Sequence, residues 1–243
     1  FVIEEYLRGD EVSVFAVCDG TTAIPLAPAR DYKRLRDGDL GPNTGGMGCY
    51  SPPDDLPDDL IDATMDTVVK PVLHTLAAEG IQYRGFLYAG LMLTPDGMQV
   101  LEFNCRMGDP ETQALMPRLE DDLLELLTDA ARGSLSERRL EWRKAAAVDV
   151  VLAAPGYPDA PERGTPISGV DTAEAMSDVI VFHAGPAQSD EGLVTAGGRV
   201  MNVVGLGATV SAARSAAYRG VDAIDFPGRQ YRLDIAASTD TDG

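Results

Sequence analysis

The first seven residues, FVIEEYL, mix apolar and polar positions as a strand does, and Arg8-Gly9-Asp10 reads as the turn that closes it. From Glu11 to Val17 the apolar side chains Val12, Val14 and Ala16 recur every second residue, and Asp19-Gly20 turns the chain into a further run over Thr21–Leu26. The pattern predicts a meander or hairpin set. Residues 27–53 show little periodicity and predict a long polar loop, a feature that in a compact domain is usually functional. Ile61, Met65, Val68, Val69, Val72 and Leu76 then return at helical spacing, which predicts a helix over 58–78 ended by Gly80, with Pro71 as a candidate kink. Gly85–Leu93 and Met98–Asn104 read as strands joined by Thr94-Pro95-Asp96-Gly97, a strong hairpin signal. Residues 111–116 and 120–131 read as helices. Beyond about residue 145 the composition shifts to Val, Ala and Gly, with strands expected over 147–153, 179–183 and 199–204 and a helix over 208–222. The expected organisation is a first part over 1–144, a small α+β domain over 145–236, and a disordered polar tail over 237–243.

Composition narrows the class. The chain has 243 residues, 44% hydrophobic and 24% charged, ordinary for a globular protein. No run approaches the ~20 apolar residues of a membrane span, and no charged-then-apolar segment opens the chain, so secretion is not expected. Phe1 enters a strand-like run directly and reads as a cut rather than a natural start. Acidic residues outnumber basic ones 39 to 20, a net charge of -19. That balance argues against nucleic acid or an anionic membrane as partner, because both need a basic footprint. Lys33, Lys70 and Lys144 are the only lysines. An Asp-rich, Lys-poor surface fits work in concentrated salt, where self-repulsion is screened; a GC-rich genome that exchanges Lys for Arg would leave a similar trace. Cys18, Cys49 and Cys105 have no metal-site spacing and are odd in number, so a reduced cytoplasm is the expected setting.

Three segments carry candidate chemistry. In Glu102-Phe103-Asn104-Cys105-Arg106, residues two apart share a strand face, so Glu102, Asn104 and Arg106 are expected to point one way and Phe103 into a core. A carboxylate beside an amide oxygen suits Mg2+, which takes few protein ligands and completes its shell with phosphate and water. A plain polar face of an amphipathic strand would read the same. Gly41-Pro42-Asn43-Thr44-Gly45-Gly46-Met47-Gly48 holds four glycines in eight residues, preceded by Asp31, Lys33, Arg34 and Arg36. Glycines let backbone N–H groups approach an anion, but a flexible turn beside a solvated charge run has the same composition. Glu4, Glu5 and Glu11 are weak signals alone; a nucleotide edge or a solvated strand end are both open.

Taken jointly, IEEYLRGDE, DYKR, GPNTGGMGCYSP, GFLYAGLM, EFNCRMGDPETQ, FHAG and TAGGRV resemble the phosphoribosylamine–glycine ligase (glycinamide ribonucleotide synthetase) family of ATP-grasp enzymes from Phe1 to about Ile235. The resemblance implies an α+β fold: the second half of an ATP-grasp domain, an antiparallel sheet with helices, followed by a small α+β C-terminal domain. It implies ATP-dependent joining of glycine to 5-phosphoribosylamine through a glycyl phosphate, with Mg2+ (or Mn2+). Glu4, the backbone of Glu5 and Leu7, and Glu11 would face adenine and ribose, with Met92 and Leu101 sandwiching the ring or simply forming core. Glu102 and Asn104 would hold the metal and Arg106 would stabilise the acyl phosphate. Asp31, Lys33, Asn43, Gly45, Gly46, Gly48 and Asp109 would line the acceptor side, Asp109 against the glycine ammonium and loop N–H groups against carboxylate or phosphate. Cys105 is expected to be a packed thiol, and His74 and His183 structural. Where many ATP-grasp enzymes carry a further metal-binding acid, this chain reads Ala89-Gly90. The family's N-terminal half, with its phosphate-binding lysines, is missing, so the chain is expected to be inactive alone, and a monomer. Another ATP-grasp carboxylate–amine ligase, or an inactive nucleotide-binding fragment, are the alternatives.

Overall fold

The computed structural model describes residues 3–237. In chain order the strands are β1 (Asp10–Asp19), β2 (Ala23–Pro25), β3 (Arg30–Asp31), β4 (Arg34–Arg36), β5 (Leu40–Asn43), β6 (Gly48–Ser51), β7 (Arg84–Thr94), β8 (Gly97–Asn104), β9 (Ala146–Ala153), β10 (Val179–His183), β11 (Pro186–Ser189), β12 (Gly192–Thr195) and β13 (Arg199–Gly207). The α-helical segments are α1 (Leu60–Thr64), α2 (Lys70–Ala78), α3 (Glu111–Leu115), α4 (Leu123–Arg132), α5 (Val170–Glu174) and α6 (Val210–Ala223). They fall into two compact units: residues 1–30, 53–108 and 119–143 in one, and 31–52, 109–118 and 144–243 in the other. The units interleave along the chain.

The first unit is built on an antiparallel sheet of order β2-β1-β7-β8. Alternation along β1 and β7 separates two faces. Val12, Val14, Ala16 and Cys18, with Leu87, Ala89 and Leu91, pack against Leu60, Met65, Val68, Val69 and Leu73 of the α1–α2 rod. Ser13, Phe15 and Tyr88 take the other face, where Phe15 and Tyr88 meet edge to face at 4.9 Å and the Ser13 and Tyr88 hydroxyls lie 2.9 Å apart. Helix α4 packs on β1 and β7; the Asp122 carboxylate accepts from the N–H groups of Leu124 and Glu125 at its start, and Gly133 at φ 75° ends it. The helix predicted over 58–78 is present as α1 and α2 joined by a π turn at Met65–Val69. Pro71 lacks the N–H that would pair with the Thr67 carbonyl, which accounts for the irregular turn just ahead of it.

The second unit carries a five-stranded sheet of order β10-β13-β9-β6-β3. One face, with Val148, Val150, Leu152, Met201 and Val203, packs with Ala213, Ala216 and Ala217 of α6. The short α3 lies against β6, β9 and β13. The stretch expected to be a structureless loop thus supplies a sheet strand, β6, and buries Met47, Cys49 and Tyr50. Arg232 is 1% exposed: it donates to the carboxylates of Asp39 (2.7 Å) and Asp234 (2.6 Å) and lies over the Tyr32 ring.

Other expectations are corrected. Residues 3–8 form no strand, and Ile3 and Tyr6 are strongly exposed: no strand among the described residues pairs with this segment, and an unpaired strand has nothing to hold it. The β11–β12 hairpin and α5 have short, weakly periodic sequences and carry no clear sequence signal. The tail expected over 237–243 lies, Ala237 apart, outside the described residues.

Candidate functional site

In the first unit the site residues gather on β1, β7 and β8. Strand β8 pairs with β7 as Leu91↔Val100 and then Gly90↔Glu102, so Leu101 is an extra, unpaired residue: a β-bulge. Its effect is decisive. Without it, Val100 and Glu102 would face the same way; with it, Val100 and Phe103 face the α1–α2 rod, while Glu102 and Asn104 turn to the opposite face. There Glu102 sits across from Gly90 and Asn104 across from Tyr88, and Asn104 Nδ2 donates to Glu102 Oε1 at 3.2 Å. Glu11 pairs with Met92 on the same face. Glu11, Met92, Glu102 and Asn104 therefore share one surface of the sheet.

A Cβ on Gly90 would lie 3.2 Å from both Glu102 Cγ and Tyr88 Cε1, so the Glu102 side chain packs closely over the facing strand there. No cluster of three His, Cys, Asp or Glu residues suited to a metal occurs among the described residues. A carboxylate and an amide oxygen with no third acid is still a donor set that fits Mg2+ completed by phosphate and water.

Several neighbours differ from expectation. Phe103 does face the helix side but is 43% exposed, because β8 is the sheet edge and α1–α2 does not reach over it. Val68, Val72, Leu76, Val100 and Phe103 line an open apolar depression of about 360 Å3 there. Cys105 is exposed, not packed; Cys18 and Cys49 are the buried thiols, and burial pushes Cys18 up to about 12. Both His74 and His183 are exposed. Arg106 is exposed and donates to the Met107 carbonyl at 3.0 Å. Glu4 and Glu5 are exposed and Leu7 half-buried, in the segment without a strand.

In the second unit the glycine loop is wired inward. The N–H of Thr44 goes to the Lys33 carbonyl (2.8 Å), that of Gly45 to the Tyr157 hydroxyl (3.0 Å), that of Gly46 to Thr44 Oγ1 (3.0 Å), and that of Met47 to the Tyr32 carbonyl (2.8 Å). The N–H groups of Thr44, Gly45, Gly46 and Met47 are thus engaged. The glycines serve close approach instead: a Cβ at Gly46, where φ is +113°, would lie 2.4 Å from Pro110 Cδ, and one at Gly48 2.6 Å from the Asp149 carbonyl. Asn43 at the loop's start is exposed, and Asp31 and Lys33 are half-buried.

Asp109 is held by Arg199, a residue of the TAGGRV motif to which the sequence assigned no role. Arg199 Nη1 donates to the carbonyls of Gly45 and Asp109, both at 2.8 Å, and Nη2 to the Asp109 carboxylate at 2.8 Å. Gln113 Nε2 donates to the other Asp109 oxygen at 3.2 Å. Nearby, Asp149 is fully buried in β9 with neither carboxylate oxygen hydrogen-bonded. Burial raises its pKa well above the ordinary value; Asp109 and Glu111 push the same way and Arg199 opposes them. The only sequence hint was Arg199's place behind a Gly-Gly pair in TAGGRV.

Two family models match the chain: "Phosphoribosylglycinamide synthetase, ATP-grasp (A) domain" over residues 1–112, and "Phosphoribosylglycinamide synthetase, C domain" over 147–238. The phosphoribosylamine–glycine ligase of Caulobacter vibrioides is 54% identical over 236 residues, 96% of this chain and 55% of its own length. The crystal structure of the Thermotoga maritima phosphoribosylamine–glycine ligase superposes with a TM-score of 0.85 at 43% identity, covering 96% of this chain and 57% of that one. The biotin carboxylase domain of the Hydrogenobacter thermophilus 2-oxoglutarate carboxylase matches with a TM-score of 0.65 at 14% identity, covering 91% of this chain and 47% of that one, a likeness of fold. The chain spans about half the length of the curated relatives it matches.

Proposed function

The chain belongs to the phosphoribosylglycinamide synthetase family, and from that premise we propose that it forms part of a ligase that joins glycine to 5-phosphoribosylamine at the expense of ATP. The observation that carries the reading is the Glu102–Asn104 pair, turned by the Leu101 bulge onto the face it shares with Glu11 and Met92. These two side chains would hold Mg2+ (or Mn2+), which when bound neutralises triphosphate charge. Glu11 and Met92 would take the nucleotide, with Glu4, Glu5, Leu7 and Leu101 as further contacts. Arg106, exposed beside the pair, would offer planar donors to phosphoryl or acyl phosphate oxygens. Glycine's carboxylate is a poor electrophile until phosphorylated; the amine of phosphoribosylamine then attacks the glycyl phosphate and phosphate leaves. The protein's part is positioning and charge stabilisation, so no covalent nucleophile is needed. On the acceptor side Asp109 keeps its carboxylate half-exposed while bound to Arg199, in reach of an ammonium group. Asp31, Lys33, Asn43 and the loop Gly45, Gly46 and Gly48 shape that side.

In a chain completed to the length of its relatives, Glu102→Ala lowers kcat/KM by more than ~100-fold, since even groups behind a metal ligand are worth ~10–100-fold. Near-wild-type turnover at saturating Mg2+ would remove Glu102 from the metal site. Titration calorimetry of MgATP onto the present chain tests the alternative of a nucleotide-binding fragment, and weak or no binding is expected.

The setting proposed is a reduced, salt-rich cytoplasm, and the active form a monomer. Three free cysteines and the net charge of -19 support it. Thermal unfolding followed against KCl should show the midpoint rising steadily beyond ~0.5 M, where ordinary Debye screening is already nearly complete. A flat response would leave the acidic composition to codon bias.

A further inference from the structure

We propose that Arg199 is a positioning residue: one guanidinium locks the glycine loop and the Asp109 turn into a single rigid acceptor-binding element. Four contacts meet on it. Nη1 reaches the Gly45 carbonyl and the Asp109 carbonyl at 2.8 Å each and the Gly46 carbonyl at 3.5 Å, and Nη2 reaches the Asp109 carboxylate at 2.8 Å. The loop accommodates the guanidinium closely, since a Cβ on Gly45 would lie 3.1 Å from Arg199 Cζ. A second tie runs alongside: the Tyr157 hydroxyl accepts from the Gly45 N–H, and the Tyr157 ring fills the Cβ space of Gly198, the residue before Arg199. Carbonyls from two separate segments converge on one planar cation, an arrangement only Arg can supply. A lysine ammonium is a point charge without the fork that spans both segments. Arg199 also supplies positive charge to the buried Asp149, against the repulsion of Asp109 and Glu111. Removing it unfastens the loop and leaves Asp149 still more strongly in its protonated form.

The inference rests on the ligase reading for its kinetics but not for its structure, and the experiment separates the two. Hydrogen exchange on the present chain reads the lock directly: Arg199→Lys should speed exchange at the Gly45 and Gly46 amides by about tenfold or more, with little change in β7 and β8. In the length-completed enzyme, Arg199→Lys should raise KM for glycine or phosphoribosylamine about tenfold or more while KM for ATP stays within about twofold. Arg199→Ala should be worse and partly restored by added guanidinium ion. Asp109→Asn combined with Arg199→Ala should cost no more than the worse single change. Unchanged loop exchange overturns the lock. Exchange that changes while every kinetic parameter stays put, or falls only with the folded fraction, overturns the positioning role. A completed enzyme that makes no ligation product overturns the ligase reading, and the exchange result then stands by itself.

Discussion

At the scale of single residues, the least expected group is Asp149. A carboxylate with both oxygens lacking hydrogen bonds inside a sheet is costly, and the protein meets that cost by favouring its protonated form. The sign of the consequence is fixed. Because the folded pKa lies above the unfolded one, the folded chain binds the extra proton, and stability falls as pH rises above the usual carboxylate range toward the raised value. Asp149→Asn should therefore stabilise the chain at neutral and alkaline pH, with the gain shrinking toward pH ~4, near the ordinary Asp pKa. Thermal unfolding midpoints of the two proteins from about pH 4 to about pH 8 check this; curves that stay parallel would mean that Asp149 is ionised and paired. Glu102 and Asn104 were legible from sequence because their spacing alone puts them on one face. Arg199 was not, because its partners Gly45 and Asp109 lie 154 and 90 residues away and no local pattern links them.

At the scale of elements, most helices and strands follow from periodicity and caps. Helix α4 has a full set of signals: Asp122 before the apolar run, Arg132 in the last turn and Gly133 after it. Asp122→Ala removes the acceptor for two N–H groups and should cost about 1 kcal/mol, read as a lower denaturant midpoint with unchanged slope. A loss below a few tenths would show that water replaces the cap. The β7–β8 hairpin was equally clear, yet its bulge was not. The run from Met98 to Asn104 contains no glycine or proline to mark Leu101, and a one-residue shift flips every later side chain. The opening strand differs for the opposite reason: FVIEEYL is rich in strand-forming residues, but over the described residues 3–7 no strand forms, because a strand exists only where a neighbour offers its hydrogen bonds; Phe1 and Val2 lie outside the described residues.

At the scale of the whole molecule, the chain passes between its two units several times, and no single cut separates them. Strand β6, from residues 48–51, pairs with β9, from 146–153. Residues 144–237 expressed alone would leave β9 without that partner and the sheet without α3. Such a piece should give a broad, non-cooperative unfolding transition, whereas the chain as given should unfold cooperatively; a sharp transition in the short piece would show that residues 144–237 fold without β6 and α3. The amino-acid sequence by itself determined most of the element types, the α+β class, the family, the acidic composition and the face shared by Glu102 and Asn104. All of these are written in local spacing, composition and short motifs. Tertiary structure alone decided which face that is, that the N–H groups of Thr44, Gly45, Gly46 and Met47 are engaged within their own unit, and that Arg199 and Asp149 sit beside Asp109. Those outcomes depend on strand register and on contacts between segments far apart in the chain, which no window of neighbouring residues contains.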